Sequence, residues 1–309
     1  MQAFILLRLV AASAFLLSCC ACVHRQANVE NAKVEREFPA ARPNYWHQGK
    51  AEISVFNVEQ RRYGQLRAAQ QVNIFVTEDF SARKQVKLDA PEAAGADRIP
   101  VLKLNALRRF TTGLYDYSVM MSVFSPMYVR PSHALKATWS IQDWCGQVFA
   151  QANRLSDSTY RLRLFSYFER EGDIEQNASI ELLEDELWTT LRLHPARFER
   201  PDTLVVLPSM LFFRFQHLPL QTYKAVVFIE KKETESFLHV RYTDLPRQLS
   251  IRFETAWPHR ILGWEEYDQG QITSRGSLSR VQMNDYWNHQ ANNDEVLRKE
   301  LNVSFFSVK

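Results

Sequence analysis

The sequence predicts a mainly β protein, in which a large antiparallel curved sheet or half-open barrel surrounds one central amphipathic helix. Large apolar residues recur at every second position in many segments, which is typical of half-buried strands. Short charged connections separate these segments, as in hairpins, and only one segment has strong helical periodicity. Two packed sheets are the alternative, while the lack of a 20–50-residue repeat argues against a propeller or solenoid.

Length and composition limit the number of domains and the kinds of partner that can be expected. The chain has 309 residues, of which 46% are hydrophobic and 24% charged, so it can bury a substantial core as one large β domain or as two fused sheets. The formal net charge is +3, and basic residues alternate with acidic ones along the chain. Nucleic acid is therefore not an expected partner, because its binding requires a clustered basic face.

The first residues have the pattern of a bacterial secretion signal. Residues 1–8 carry one positive charge at Arg8, and residues 9–17 form an apolar region of signal-peptide length. The apolar stretch after Arg8 ends at Val23, which makes it shorter than the ~20 residues needed to cross a bilayer. We therefore expect a signal peptide over residues 1–18.

Residues 16–19, Leu-Leu-Ser-Cys, resemble the lipobox of bacterial lipoproteins. We expect cleavage before Cys19 and acylation of its thiol, so that the lipid anchors the chain to a membrane; an uncleaved anchor and ordinary signal cleavage are the alternatives. The next residue, Cys20, is not aspartate, and by resemblance to known sorting rules this favours the outer membrane, facing the periplasm. Polar residues then predict a tether over residues 19–43, before a β-rich domain over residues 44–309.

Period-two alternation predicts at least nine strands after Tyr45. Ala51, Ile53 and Val55 share one strand face, for example, and a charged turn at residues 231–233 joins two later strands. The segments with this pattern are residues 51–55, 72–76, 86–88, 102–104, 115–123, 135–149, 160–168, 223–230, 237–242 and 249–255.

One amphipathic helix is predicted over residues 179–194. Pro195 ends it, Arg192 lies near its C-terminus, and acidic residues occupy its first turns. The apolar face comprises Ile180, Leu183, Leu187, Trp188 and Leu191. Because consecutive helical positions point in different directions, Glu184, Asp185 and Glu186 are interpreted as a solvated face and not as an acid–base pair. A shorter second helix is predicted over residues 294–301.

No residue pattern predicts a catalytic, metal or cofactor site. The eight histidines are scattered singly, without the paired spacing that a zinc site needs. Glycine-rich phosphate loops and the GxSxG elbow are missing. Cys145 lies in a predicted strand with no local group to activate its thiol, so we expect a buried small apolar residue, with Gly146 marking a bulge or close packing.

Aromatic residues make up 12% of the chain. Residues 257–267 alternate large rings with charges, and the pairs Tyr45–Trp46 and Tyr286–Trp287 bracket the predicted domain. A core role is favoured, because aromatic residues regularly fill large β cores; a ligand-binding surface of rings is the alternative.

Four segments resemble an uncharacterised family of bacterial envelope lipoproteins, and the likeness covers nearly all of the chain after the tether. They are YWHQGKAE (45–52), KQVKLD (84–89), WCG (144–146) and LLEDELW (182–188). Members are sometimes labelled Maf-type septum formation inhibitors, but the Ser-x-Ser-x-x-Arg loop of Maf nucleotide pyrophosphatases is missing here. The predicted architecture is also similar to half-barrel carriers of the lipoprotein-localisation type, which bind acyl chains between sheet and helix.

These patterns favour a non-enzymatic envelope lipoprotein that contacts the membrane through Cys19 and binds an apolar ligand or a protein partner. An envelope hydrolase with an active site assembled from distant strands is the second hypothesis, since catalytic residues need not be local in sequence. A purely structural lipoprotein is the third. The sequence predicts no catalytic residue and no ligand-binding residue for any of them.

Overall fold

A computed structural model describes residues 42–129 and 133–304. These residues form one open, curved, mostly antiparallel sheet of 15 strands. The predicted mainly β class and the single large sheet are thereby confirmed. The predicted signal peptide, Cys19 and all but the last two residues of the predicted tether lie outside the described residues.

The strands have 2 to 17 residues each. In chain order they are β1 (Ala51–Arg62), β2 (Gln65–Ser81), β3 (Arg98–Thr112), β4 (Tyr115–Pro126), β5 (Lys136–Gln142), β6 (Gln147–Ser156), β7 (Thr159–Ser166), β8 (Ile174–Ser179), β9 (Leu182–Leu183), β10 (Asp202–Leu207), β11 (Tyr223–Glu230), β12 (Glu235–Tyr242), β13 (Arg247–Glu254), β14 (Ile261–Asp268) and β15 (Gln271–Asn284).

The described helices are short. They are α1 (Arg42–Trp46), α2 (Leu187–Leu193), α3 (Met210–Gln216) and α4 (Val296–Glu300). Two 3₁₀ turns flank α2, at Glu184–Glu186 and Pro195–Phe198, and α4 follows another at Asn292–Glu295. None of the helices in the described ranges is long and apolar enough to cross a membrane.

The sheet order is β8-β7-β6-β5-β4-β3-β2-β1-β15-β14-β13-β12-β11-β10-β9. The first and last strands therefore pair with each other in the middle of the sheet, and each half is a meander of chain neighbours. Only β9 and β10 pair in parallel among the described strands. The chain passes from one edge of the sheet to the other through Ile180 and Glu181, whose N–H groups donate to Ser158 and Val205 on opposite sides. Because four consecutive residues span only about 11 Å, the two edges approach each other here.

Helix α2 lies inside the curve of the sheet. All seven of its residues are buried, which is typical of a helix enclosed on every side. Trp188 contacts Trp264 of β14 edge to face at 5.4 Å, and Trp264 contacts Phe56 of β1 at 5.2 Å. The main apolar cluster joins α2 to both halves of the sheet. This confirms the predicted central helix.

The predicted boundaries of the helix and of the strand over 135–149 are wrong, and the strand predicted over 86–88 is not formed, since Lys87 makes only an isolated bridge with Phe80. Residue 179 ends β8, and Leu182 and Leu183 form β9, because these two apolar residues pair with Val206 and Leu207 of β10. The predicted strand over 135–149 is two strands, β5 and β6. Between them the Asp143 carboxylate accepts hydrogen bonds from the backbone N–H groups of Cys145 and Gly146, which fixes a turn.

Helix α3 was not predicted, because its sequence MLFFRFQ is rich in strand-favouring aromatic residues. The Ser209 hydroxyl caps its first turn by accepting from the Leu211 N–H at 3.3 Å. His217 ends the helix in the left-handed region, with φ at 52°. The predicted second helix over 294–301 corresponds to α4 and the 3₁₀ turn before it.

Gly276 on β15 lies directly beneath the indole of Trp264, and a Cβ atom added there would overlap three atoms of the ring. Replacing Gly276 with alanine is expected to lower the free energy of unfolding by about 1–3 kcal/mol, because the buried indole must move. Urea denaturation measures this change. Ser277→Ala, at the neighbouring exposed position, is the matched control and should change stability by less than about 0.5 kcal/mol; equal effects would contradict the packing argument.

Candidate functional site

Three consecutive acidic residues lie buried inside the sheet. Glu184, Asp185 and Glu186 are 2%, 4% and 0% exposed, so the predicted solvated face is wrong. The physical reason is that this 3₁₀ turn enters the sheet interior ahead of α2. The three side chains do point in different directions, as expected, and each carboxylate has its own partners.

Glu184 forms an ion pair with Arg247 of β13. The Arg247 Nη2 atom lies 2.5 Å from Glu184 Oε1 and 3.1 Å from Glu266 Oε2, and the Tyr242 hydroxyl donates to Glu184. Burial alone would lower the pKa of Arg247, but the charges of Glu184 and Glu266 raise it above its ordinary value. Arg247 therefore stays charged in the interior.

Asp185 accepts a hydrogen bond from the indole N–H of Trp139 at 2.7 Å and a second one from Ser209. Burial, together with the neighbouring charge of Glu184, raises the pKa of Asp185 to about 7. The carboxyl of Asp185 thus exchanges a proton near neutral pH, unlike an ordinary aspartate.

Glu186 connects α2 to the loop before β5. Its carboxylate accepts from the Ala134 N–H at 2.8 Å and contacts His133 Nδ1 at 3.1 Å and Arg197 Nη1 at 3.5 Å. These partners satisfy the buried charge locally. The arrangement fixes the position of the turn and is structural.

A second buried ion pair joins β1 to α2. The two Nη atoms of Arg192 each lie 2.6 Å from one carboxylate oxygen of Glu52, and both side chains are fully buried. Tyr45 and Ser54 donate to the same carboxylate, while Arg192 Nε donates to the Pro258 carbonyl at 3.0 Å. Burial would raise the pKa of Glu52, but Arg192 and these hydrogen bonds hold it below its ordinary value.

A cleft of 420 Å³ opens beside the acidic residues. We define the cleft by the turn between β1 and β2, helix α3 and the facing part of β13–β15. Its lining residues are Gln60, Arg61, Arg62, Tyr63, Gly64, Leu211, Phe212, Phe215, Gln216, His217, Arg247, Glu266 and Thr273. A smaller cavity of 40 Å³ shares Leu211 and Glu266 with it and is lined in addition by Glu184 and Asp185. The cleft is thus charged at its base and aromatic along α3.

Cys145 is exposed, so its predicted burial is wrong. It lies in the β5–β6 turn and not within a strand, because the Asp143 side chain ends β5 at this point. The expected close packing at Gly146 is confirmed, since an added Cβ would collide with the ring of Tyr167.

The aromatic segments divide between core and surface. Trp46 and Trp264 are buried, as the core interpretation predicts, whereas Tyr286 and Trp287 are each 38% exposed. None of these four residues lines the cleft. Its aromatic rings come from Tyr63, Phe212 and Phe215 instead, and no motif in the sequence marks these positions.

Within residues 42–129 and 133–304, no group of three or more histidine, cysteine, aspartate or glutamate residues is arranged to bind a metal ion. The arginines that pair with Glu52 and Glu184 were also missed by the sequence reasoning. Arg192 lies 140 residues from Glu52, and Arg247 lies 63 residues from Glu184.

Fold and cleft together define the class of protein: an open, mostly antiparallel sheet that encloses a short helix and carries a charged and aromatic cleft. No protein-family model, curated protein or solved structure matches this chain.

Proposed function

We propose that this protein is a non-enzymatic lipoprotein of the bacterial cell envelope, anchored through Cys19 and facing the periplasm from the outer membrane, whose sheet binds a small amphiphilic molecule. The cleft is the observation that carries the binding role. Its volume of 420 Å³ falls within the ~300–1,000 Å³ typical of small-molecule sites. The lipobox at residues 16–19 and the resemblance to envelope lipoproteins support the location.

The lining of the cleft favours an amphiphile. Leu211, Phe212 and Phe215 offer apolar surface along α3, while Arg61 and Arg62 offer polar groups from the adjoining wall at the end of β1. A ligand with one apolar and one polar end satisfies both walls. A wholly apolar ligand would desolvate the remaining N–H groups of the arginines without offering them an acceptor, which is unfavourable.

The same lining argues for binding over hydrolysis. Among the described residues, no serine or cysteine lines the cleft. The Thr273 hydroxyl donates to the Glu266 carbonyl at 3.2 Å, and His217 Nδ1 contacts the carboxylate of Glu171 at 3.3 Å, so these two side chains are engaged with other groups. Nucleophilic catalysis requires a nucleophile within reach of a base. The exposed thiol of Cys145 lies outside the cleft.

Metabolic labelling tests the anchor. The full chain, expressed in a bacterium supplied with radioactive palmitate, is expected to incorporate label, because Cys19 is the predicted acylation site. Cys19→Ala should remove the label, and Cys22→Ala, three residues away, should retain it. Label that persists in Cys19→Ala would contradict the proposed anchor.

Organic extraction tests the ligand. The purified full chain is expected to yield a small amphiphile in stoichiometric amount, measured by mass spectrometry. Leu211→Trp adds an indole to the lining of the cleft and should abolish recovery of this molecule. The matched control is Leu155→Trp, because Leu155 is 51% exposed and does not line the cleft. If no molecule is recovered, or if Leu211→Trp leaves its amount unchanged, the binding role is wrong.

A further inference from the structure

Two adjacent arginines at the end of β1 line the cleft without a carboxylate partner. Arg61 donates from Nε to the Ile272 carbonyl at 2.7 Å and from Nη1 to the Gly64 carbonyl at 2.9 Å. Arg62 donates to the hydroxyls of Tyr117 and Tyr63 and to the Phe215 carbonyl. Over the described part of the chain, neither guanidinium forms an ion pair.

Arg62 is the more strongly desolvated of the two, with only 6% of the residue exposed. Its guanidinium lies over the rings of Tyr63, Phe215 and Tyr117, at 4.3, 4.9 and 5.5 Å from their centroids. A guanidinium has five N–H groups, and three are used in the contacts described above. The Phe215 carbonyl at the C-terminus of α3 and the three rings stabilise the cation in part. Two N–H groups are left for a ligand.

The other charges of the cleft are already paired. Glu266 contacts Arg247, which also binds Glu184, and His217 contacts Glu171, which in turn contacts Arg214. The carboxylates around the cleft therefore have cationic partners of their own. The charges of Arg61 and Arg62 remain in excess on one wall.

We infer that the cleft selects an amphiphile with an anionic head group, which Arg61 and Arg62 bind while the apolar part packs on Leu211, Phe212 and Phe215. This inference rests on the proposed ligand-binding function and adds the charge of the ligand. Phosphate and carboxylate groups match the planar donor set of a guanidinium and can accept two parallel hydrogen bonds from it. The Tyr63 hydroxyl, which already contacts Arg62, lies beside this anion-binding pair.

The test is calorimetric titration of the full chain, in a non-ionic detergent, with three probes that share an octyl chain. Octyl phosphate is expected to bind at least 10-fold more tightly than octyl glucoside or octyltrimethylammonium, because only the phosphate can pair with both arginines. Partition of the octyl chain into detergent is the same for every variant. Differences in affinity between variants therefore reflect binding in the cleft. Inorganic phosphate should bind at least 10-fold more weakly than octyl phosphate; equal affinity would overturn the assignment of an amphiphile.

Variants assign the preference to the arginines. Arg61→Gln combined with Arg62→Gln is expected to weaken octyl phosphate binding by about 10- to 100-fold, as expected for the loss of hydrogen bonds to a charged group. Binding of octyl glucoside should change less than 3-fold. Arg98→Gln is the matched control, since Arg98 pairs with Asp79 outside the cleft and should leave all three affinities unchanged.

Arg62→Lys keeps the charge and serves as a second variant where glutamine disturbs folding; it should retain a preference for octyl phosphate. With the unaltered protein, affinity for octyl phosphate should fall as sodium chloride is raised. If the three octyl probes bind alike and Leu211→Trp abolishes them all, the cleft binds amphiphiles but the inferred anion selectivity is wrong. If Leu211→Trp changes no affinity, the proposed function itself fails.

Discussion

Replacing Glu52 with glutamine is expected to lower the free energy of unfolding by about 3–5 kcal/mol, because it leaves Arg192 as a buried cation without a counter-charge. Both side chains have no exposed surface, and both guanidinium Nη atoms lie 2.6 Å from the carboxylate. The rings of Trp46 and Phe75, at 4.9 and 4.8 Å from the guanidinium carbon, stabilise the cation but cannot replace the anion.

Urea denaturation of the full chain and its variants measures this loss. The double variant Glu52→Gln with Arg192→Met should be more stable than Glu52→Gln alone, because the uncompensated charge is gone. Glu235→Gln is the matched control: Glu235 pairs with Arg252, and these side chains are 41% and 38% exposed. Its removal should cost less than about 1 kcal/mol. Equal losses in Glu52→Gln and Glu235→Gln would contradict the argument.

The free energy of unfolding is also expected to fall as the pH rises from about 4 to about 7, because in this range Asp185 has lost its proton in the unfolded chain but keeps it in the folded protein. Burial, with the charge of Glu184, raises its pKa from 3.8 in the unfolded chain to about 7 in the folded protein. Folded Asp185 therefore binds a proton more tightly than unfolded Asp185, and its contribution is fully present below pH 4 and lost above pH 7. The maximum effect is about 4 kcal/mol.

Other charged groups near Asp185 also affect how the free energy of unfolding depends on pH. Glu184 precedes it in the chain, Glu266 of β14 raises its pKa further, and the charge of Arg108 on β3 interacts with it. Glu52 acts in the opposite direction, because its lowered pKa makes the protein less stable as the pH falls below about 4.5. A stability maximum on the acidic side of neutrality follows.

Urea denaturation between pH 4.5 and 8 tests the assignment to Asp185. Asp185→Asn can still accept from Trp139, and it should remove most of the decline with pH because the titrating group is gone. Asp157→Asn changes a fully exposed carboxylate and should leave the decline intact. A decline that is as steep in Asp185→Asn as in the unaltered protein would show that another group is responsible.

Alternating apolar residues were sufficient to predict the sheet, because the alternation within each strand shows which of its two faces is buried. The same rule fails at β1, where Glu52 and Ser54 alternate with apolar residues and yet both faces are buried from residue 51 to 56. The polar face of this strand meets Arg192 instead of water. Whether a polar strand face is solvated depends on what the rest of the chain places against it.

The prediction that the acidic residues 184–186 are solvated was wrong for a related reason. Acidic residues ahead of a helix are normally solvated, and the sequence contains no local sign that Arg247 and Trp139 lie beside them. Arg61 and Arg62 likewise resemble an ordinary charged hairpin, with Tyr63 and Gly64 completing the turn. Arg62 contacts Tyr117 and Phe215, which lie 55 and 153 positions away in the sequence. Pairing over such distances is set by topology.

The central pairing of β1 with β15 makes the sheet dependent on nearly the whole chain. The outer edges are short strands, β8 with six residues and β9 with two, which limits unwanted pairing with other chains. The inner edges are longer, because β1 has 12 residues and β14 has eight. Until residues 271–284 have been synthesised, both inner edges stay unpaired, and a growing or truncated chain offers them as templates for aggregation. A chain truncated before residue 271 should therefore aggregate more readily than the full chain, even though every other strand of the sheet is present.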